Sequence, residues 1–526
     1  MLKTQQFSIF FLLFFQAFSP ALTAQTVASN SSEFPNIVYI LADDLGYGDI
    51  SCYNENSRLQ THNVDQLAHE GLLFTDAHTS SAVCTPTRYG ILTGRYNWRS
   101  KLKKGVLSGY SKALIEPERL TVGKLLQEKG YHTAFIGKWH LGWNWSFSGD
   151  AANRDNLNSR PEVDFSQPVE NGPREQGFSY SYGFSGSLDM PPYVYVENNL
   201  PTSIPQDTTV NVDDKGFWRK GLTGSDFRHA DVLPHLTHKA IQYIDQQASN
   251  NHPFFLYFAL PAPHTPILPT TEFMGKSNTN FYGDFVLQVD NVVGQIVAAL
   301  ENNGIRGETL IVFTSDNGCS PKANFQELAA VGHEPSYIYR GHKADIYEGG
   351  HRVPFVVSWT ARIREASRTD EIICTTDLMA TAAEMVGTIL PQNAGEDSYS
   401  FFPLLSQENY AQPLREATVH HSIDGRFAIR QGGWKLILWP GSGGWSFPRT
   451  PDELQGLPSM QLYNLEKDPF EKQNLVQDYP EKVEALKALL RKYIEEGRST
   501  PGAPQKNDGP ENWPELNWMT ASAKDN

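Results

Sequence analysis

Short apolar runs alternate with helix-like segments along most of the chain. The runs Asn36–Leu41, Tyr131–Gly137, Pro253–Leu260 and Thr309–Thr314 are each too short for a helix and predict buried strands. Leu120–Lys129, Ala240–Gln247 and Asp284–Asn302 lie between them and predict helices. Such alternation predicts an α/β fold with a large, mainly parallel sheet flanked by helices on both faces. Residues 144–230 are rich in Asn, Gly, Pro, Ser and aromatics, and read as a long insertion or a set of loops over one sheet edge. The pattern shifts again after Gly387. Strand-like Phe427–Arg430 and Trp434–Leu438, then a helix near Glu481–Glu495, predict a smaller C-terminal α+β unit. The expected layout is a large domain over 35–390, a subdomain over 391–498 and a Pro- and Asn-rich tail over 499–526.

The first residues change the picture of where the protein works. Lys3, the apolar run Ile9–Phe15 and the small residues of Ala21–Ala24 read as an export signal over 1–24, followed by a polar leader over 25–34. The apolar run is short against the roughly 20 residues that a membrane span needs, and no cysteine stands near the cleavage site. A periplasmic or secreted protein without a membrane anchor is expected. The 526 residues suffice for the large domain and its smaller partner. A net charge of −15 disfavours nucleic acid and gives no general attraction for an anion, so an anionic substrate requires a local cationic pocket. Four cysteines, Cys52, Cys84, Cys319 and Cys374, allow one disulfide or none. Cys52, Cys319 and Cys374 are expected as buried thiols or an occasional bridge; Cys84 needs its own explanation.

Each of the four expected strands runs into residues that can do chemistry. The first leads to Asp43 and Asp44, the second to Lys138 and His140, the third to His264, and the fourth to Asp316 and Asn317. Ligands of open α/β sheets bind beyond the carboxyl ends of the strands, so parallel neighbours would bring these groups to one rim. Asp43, Asp44, Asp316 and Asn317 offer only hard oxygen ligands, which suit calcium or magnesium. Taken singly, Asp-Asp is also a helix cap and Asp-Asn-Gly a turn. A further segment, Ser81-Ala82-Val83-Cys84-Thr85-Pro86-Thr87-Arg88, places a proline in the first turn of a helix that Cys84 opens. A helix start favours an anion, and Arg88 adds a fixed cation. A lone cysteine in that position is otherwise a structural or mildly redox-active thiol.

Cys84-x-Pro86-x-Arg88 followed by Leu92-Thr93-Gly94-Arg95 resembles the signature of the type I sulfatases. Other blocks agree in order: Asn36 to Asp49, Gly137-Lys138-Trp139-His140-Leu141-Gly142, Pro263-His264-Thr265-Pro266, Ser315-Asp316-Asn317-Gly318, Gly341 to Gly350 around Lys343, and Leu462-Tyr463-Asn464-Leu465 with Asp468-Pro469. The resemblance spans roughly residues 35 to 478. It implies an alkaline-phosphatase-like sandwich and hydrolysis of a sulfate ester. It implies that a separate maturation enzyme oxidises Cys84 to formylglycine, whose hydrate is the nucleophile. One calcium ion would be held by Asp43, Asp44, Asp316, Asn317 and the residue at Cys84. Lys138 and Lys343 would hold the sulfate, and Arg88 the hydrate. His140 would deprotonate the second hydroxyl. His264 would serve the leaving alcohol, with Lys343 as its rival. Asp316 could also accept the nucleophile's proton. Arg95 is read as structural support.

Aromatic and polar residues around Ser187–Tyr193 suit sugar rings, which points to a sulfated carbohydrate such as an algal polysaccharide or a glycosaminoglycan. Asp189, Tyr193, Arg174, Arg228 and His229 are the candidate specificity residues. Three competing readings remain at this point: an arylsulfatase for small esters, a phosphomonoester or phosphonate hydrolase of the same superfamily, and a non-catalytic sugar-binding relative. The phosphoesterases typically use Thr or Ser with two zinc ions and several histidines, whereas here the ligands are Asp and Asn.

Overall fold

In the central ten-stranded sheet the four expected strands are immediate neighbours. The order runs Thr309–Ser315, Asn36–Asp43, Phe254–Pro263, His132–Lys138, all parallel. The computed structural model describes residues 1–2, 34–250, 252–406 and 413–521; the expected export signal and most of the leader lie outside these. Every residue of Asn36–Asp43 is buried, which explains a continuous apolar run rather than an alternating one. Val38, Ile40 and Ala42 enter the core on one face, and Ile37, Tyr39 and Leu41 the core on the other. The first face packs under Val232–Ala248 and Phe281–Asn302, and the second under Cys84–Thr93 and Val122–Glu128.

The helices differ from expectation mainly at their starts. Asn280 accepts hydrogen bonds from the N–H groups of Tyr282 and Gly283 through its side chain, so the long helix starts at Phe281 rather than Asp284. The helix expected from Ala240 begins at Val232. Residues 144–230 are more than loops. Tyr180–Phe184 is a fifth parallel strand beside His132–Lys138, extended by the short antiparallel strands Val196–Glu197 and Leu200–Pro201. On the other side Phe355–Ser358 runs antiparallel to Thr309–Ser315, Gly71–Phe74 returns to the common direction, and Ser367–Thr369 closes the edge parallel to it.

The C-terminal unit is a four-stranded antiparallel sheet, Thr418–His421, Phe427–Gln431, Trp434–Ile437 and Gln461–Asn464, covered by helix Pro480–Glu495. Its core includes Tyr96 and Trp98, which follow the Cys84 helix in the chain. The residues read as a tail pack onto the same place. Arg95 donates to the Lys506 carbonyl and to Asp508, Arg99 donates to Asn507, and Trp513 is buried in that core. All four cysteines are free thiols, with Cys52 only half-buried. Among the described residues no helix is long and apolar enough to cross a membrane.

A buried polar cluster joins the two sheets. His78 faces His351 at 3.0 Å, and the rings of His351 and His420 stack at 4.0 Å. Asp76, Glu348, Arg352, Arg430, Lys435 and Glu471 surround them. Burial lowers the proton affinity of all three histidines. The same holds for buried His140, His229, His264 and His421. A histidine that binds protons more weakly when folded contributes stability above its unfolded value near 6.5, lost as pH falls. Asp290, Asp316, Asp377 and Glu471 are shifted upward and act in the opposite sense, but the histidines outnumber them. We therefore expect the melting temperature to fall between pH 7 and pH 5, at about 1.4 kcal/mol per pH unit for each net proton. A melting curve flat over that range would contradict the charge states assigned to the buried histidines.

Candidate active site

The carboxyl ends of five parallel strands converge on one charge cluster. Asp43 closes its own strand and Asp44 follows with φ +65°. The Asp44 N–H donates to Asp316 Oδ1 at 3.2 Å, which joins the first strand's end to the fourth's. Asn317 Nδ2 donates to Asp44 Oδ1 at 2.7 Å. Lys138 Nζ lies 2.6 Å from Asp43 Oδ2, Lys343 Nζ 2.6 Å from Asp44 Oδ1, and Arg88 Nη2 2.8 Å from Asp316 Oδ2. Each carboxylate is thus matched by one cation, with none of the six more than slightly exposed. The backbone around them is held in uncommon conformations. Asp44, His140 and Ala344 all have positive φ, which is costly for non-glycine residues and clusters at functional sites. Gly137, just before Lys138, has φ +125°, and a Cβ there would stand 1.9 Å from the Ala259 carbonyl oxygen.

Cys84 is the first residue of helix Cys84–Thr93, all ten residues of which are buried. Its Sγ and one oxygen each of Asp43 and Asp316 lie within 4.8 Å of one another. The helix is placed from both sides. Arg88, one turn on, donates to Asp316 and to the Lys138 carbonyl. Before it, the Ala82 carbonyl accepts from the Ala344 N–H at 2.8 Å, which ties the Lys343 loop to the Cys84 segment. Gly94 ends the helix in the left-handed region.

The electrostatics follow from burial and pairing. Burial pushes the Asp43 carboxyl up, but Lys138, His264, Arg88 and Lys343 outweigh it and hold the group below the usual range. Burial and the neighbouring Asp43 push Asp316 up to about 7. Burial also raises the Cys84 thiol, against the pull of Lys138 and Lys343. His140 is lowered well below its ordinary value by burial and then by Lys138, so it is neutral at pH 7. Its Nε2 faces the Leu107 carbonyl at 2.9 Å, which can only accept. The proton therefore sits on Nε2, and Nδ1, buried without a partner, is left as a base. His264 lies 3.6 Å from Asp44 Oδ2, and its proton affinity is lowered by burial and then by Lys343.

The donor set fits a hard cation. Asp43 Oδ1 and Asn317 Oδ1 are both buried with no hydrogen-bond partner, beside the oxygens of Asp44 and Asp316. Nine of the ten candidate catalytic and metal-binding residues of the sequence thus belong to one rim, and the tenth, His140, is attached to it through its loop beside Lys138. Sequence reasoning missed Ser187, whose Oγ accepts from Lys138 Nζ at 3.2 Å and lies 3.3 Å from His264 Nδ1. It follows the strand Tyr180–Phe184, and the period-two aromatics Tyr180, Tyr182 and Phe184 were the signal available for that strand.

Most specificity candidates do not reach the rim. Arg174 is exposed beside Gly177, which packs on Gly123 and Lys124 at the opposite, amino-terminal end of the sheet. The Arg228 side chain is 82% exposed and faces Asp231. His229 is stacked on Trp218 at 4.0 Å, and Tyr193 donates its hydroxyl to the Arg219 carbonyl, so both are packing residues. Asp189 alone lies near Lys138 and His264. Arg95 is structural, paired with Glu396 and Asp508.

The family model for sulfatases matches residues 35–388. The chain belongs to the sulfatase family. A second model, for the C-terminal part of N-sulphoglucosamine sulphohydrolase, matches residues 341–500. The N-acetylgalactosamine-6-O-sulfatase of Bacteroides thetaiotaomicron is 33% identical over 88% of this chain and 93% of its own. Human arylsulfatase A is 31% identical over 86% of this chain and 87% of its own. A solved B. thetaiotaomicron structure, described for the metabolism of multiple glycosaminoglycans, superposes with a TM-score of 0.77 at 32% identity and covers 88% of this chain and 99% of that one. The phosphonate monoester hydrolase of Agrobacterium radiobacter shares the fold, with a TM-score of 0.57 at 18% identity. The alkaline-phosphatase-like fold expected from the sequence is therefore present, and the protein is a sulfuric ester hydrolase. If the oxygen cluster binds calcium, adding calcium to chelator-treated protein should raise the melting temperature by roughly 2–5 °C. Asp316→Ala should abolish that rise; an unchanged melting temperature in the parent protein would remove the metal assignment.

Proposed function

We propose that this sulfatase removes sulfate from a sulfated carbohydrate, using a formylglycine formed from Cys84 and one calcium ion held by Asp43, Asp44, Asp316 and Asn317. The observation that carries the reading is the placement of Cys84 Sγ at a buried helix start, beside two carboxylates and within the electrostatic reach of Lys138 and Lys343. The three carboxylates balance Arg88, Lys138 and Lys343, so a dication adds the positive charge that a sulfate ester needs. Two relatives, an N-acetylgalactosamine-6-O-sulfatase and a structure described for glycosaminoglycan metabolism, support a sugar substrate. The likeness to arylsulfatase A keeps small aryl esters as the second reading. The protein acts after export, and a separate enzyme matures Cys84.

The hydrated residue 84 carries two hydroxyls on one carbon. One attacks sulfur as its proton passes to Asp316, the bond from sulfur to the alcohol oxygen breaks, and the alcohol oxygen takes up one proton, so the step has no net proton change. Lys138 and Lys343, on Asp43 and Asp44, are the cations available to hold the sulfate oxygens through this step, and His264, 3.6 Å from Asp44, is the group available to the departing oxygen. His140 Nδ1 then takes the proton of the second hydroxyl, the bond from carbon to the sulfate oxygen breaks, and the aldehyde is restored. Asp43, Asp44, Asp316 and Asn317 would hold the calcium ion, which would supply Lewis acidity to this chemistry.

Desulfation of a panel of defined sulfated oligosaccharides and aryl sulfates, with mass analysis of the Cys84 peptide, tests the reading. We expect sugar sulfates to be preferred and the thiol of residue 84 to be replaced by an aldehyde in active preparations. Cys84→Ala should lower kcat by roughly 10⁴-fold or more with an unchanged melting curve, and His140→Ala by about 10²–10⁴-fold. Turnover retained in Cys84→Ala would refute the nucleophile.

A further inference from the structure

One carboxylate near the rim is neither paired within the charge cluster nor solvated. Asp189 follows Ser187 by two residues in the loop that leaves strand Tyr180–Phe184, and is 9% exposed. Its Oδ2 accepts from Arg219 Nη1 at 2.5 Å. Its Oδ1 is buried and has no hydrogen-bond partner. Burial raises the carboxyl, but His264, Arg219 and Lys138 together hold it below the ordinary range, so it is ionised. An ionised oxygen buried without a donor is costly and calls for a partner.

Arg219 is itself fixed in place. Its N–H donates to the Asp189 carbonyl at 3.2 Å, its own carbonyl accepts from the Tyr193 hydroxyl at 2.7 Å, and its guanidinium lies 5.4 Å from the Phe217 ring centre. Among the described residues its Nε and Nη2 make no hydrogen bond, and its side chain is 22% exposed. The pair therefore presents an acceptor, Asp189 Oδ1, next to unused donors on Arg219. The pair adjoins the rim: Ser187, two residues before Asp189, bonds Lys138 and lies 3.3 Å from His264, and both Lys138 and His264 act on the Asp189 carboxylate.

We propose that the Asp189–Arg219 pair is a specificity element that binds a free hydroxyl on the sugar ring carrying the sulfate ester; this rests on the carbohydrate reading above. A hydroxyl donates to Asp189 Oδ1 and accepts from Arg219 at the same time. A second sulfate or a carboxylate at that ring position only accepts and meets the charge of Asp189. A methyl ether cannot donate. The pair thus selects for one unsubstituted hydroxyl and against its sulfation, because a site built to bond a hydroxyl rejects analogues that leave its polar groups unpaired.

The test compares kcat/KM for N-acetylgalactosamine 6-sulfate, for analogues each lacking one ring hydroxyl, and for an aryl sulfate, in the parent enzyme and in Asp189→Ala. We expect one deoxy analogue to be about 10²-fold poorer in the parent enzyme, and that ratio to collapse towards 1 in Asp189→Ala. Arg219→Gln should shrink the same ratio. General damage to the fold, or an effect passed through His264, would lower all substrates together and leave the ratio intact, which would overturn the proposal. So would a parent enzyme indifferent to every hydroxyl. A parent enzyme that cleaves only the aryl sulfate would overturn the carbohydrate reading, and this proposal with it.

Discussion

Three carboxylates buried side by side at the end of one sheet cannot all stay ionised unless cations are buried with them. Asp43, Asp44 and Asp316 are each met by one cation, Lys138, Lys343 and Arg88, although burial and Asp43 still push Asp316 up to about 7. Each of the three cations comes from a different part of the chain, so the pairing also fixes the architecture. Lys138 ends a strand two places away from that of Asp43, Arg88 holds the helix that begins at Cys84, and Lys343 brings in a loop that also leans on the C-terminal unit. The left-handed backbone at Asp44, His140 and Ala344 persists because these contacts over-determine it. A neutral cluster of this kind has no surplus to attract an anion. A dication at the orphaned oxygens of Asp43 and Asn317 would supply that surplus at the one place where an overall acidic protein needs it.

Much of this was legible in the sequence, for a definite reason. Strands buried on both faces are written as continuous apolar runs, so Asn36–Leu41 and its three partners stood out, and the polar residues just past them marked the rim. What was missed lies where that signal weakens. Tyr180–Phe184 sits towards the sheet edge, its run is broken by Ser181 and Gly183, and Ser187 was hidden with it. The specificity candidates were chosen by residue type within a long irregular segment. Without the strand, sequence distance from Ser187 said nothing of spatial distance, and Arg174 lies at the wrong end of the sheet. The packing of residues 499–521 depends on Arg95 and Arg99, some 400 positions away, and has no local pattern.

The C-terminal unit contributes to the site indirectly. Its sheet supplies His420, Arg430 and Lys435 to the buried cluster with His78 and Glu348, and its edge touches the Lys343 loop through the Ile423 N–H to Ala344 carbonyl hydrogen bond at 3.0 Å. The segment that follows is bonded to Arg95 at the far end of the Cys84 helix. The helix that begins at Cys84 is thus held at one end by the charged rim and at the other by the second unit. Such support is what keeps a nucleophile within a fraction of an ångström of its working position.

The nucleophile at residue 84 is tested most directly by asking whether sulfate passes onto it. A serine there has one hydroxyl, so it can take sulfate from an ester but lacks the second hydroxyl needed to release it. Cys84→Ser, incubated with a cleavable sulfate ester and examined by peptide mass spectrometry, should accumulate a stable sulfate adduct at residue 84, in step with the alcohol released. Release of alcohol with no adduct at that position would mean that water or another residue attacks sulfur, and the role assigned to the start of the helix would fall.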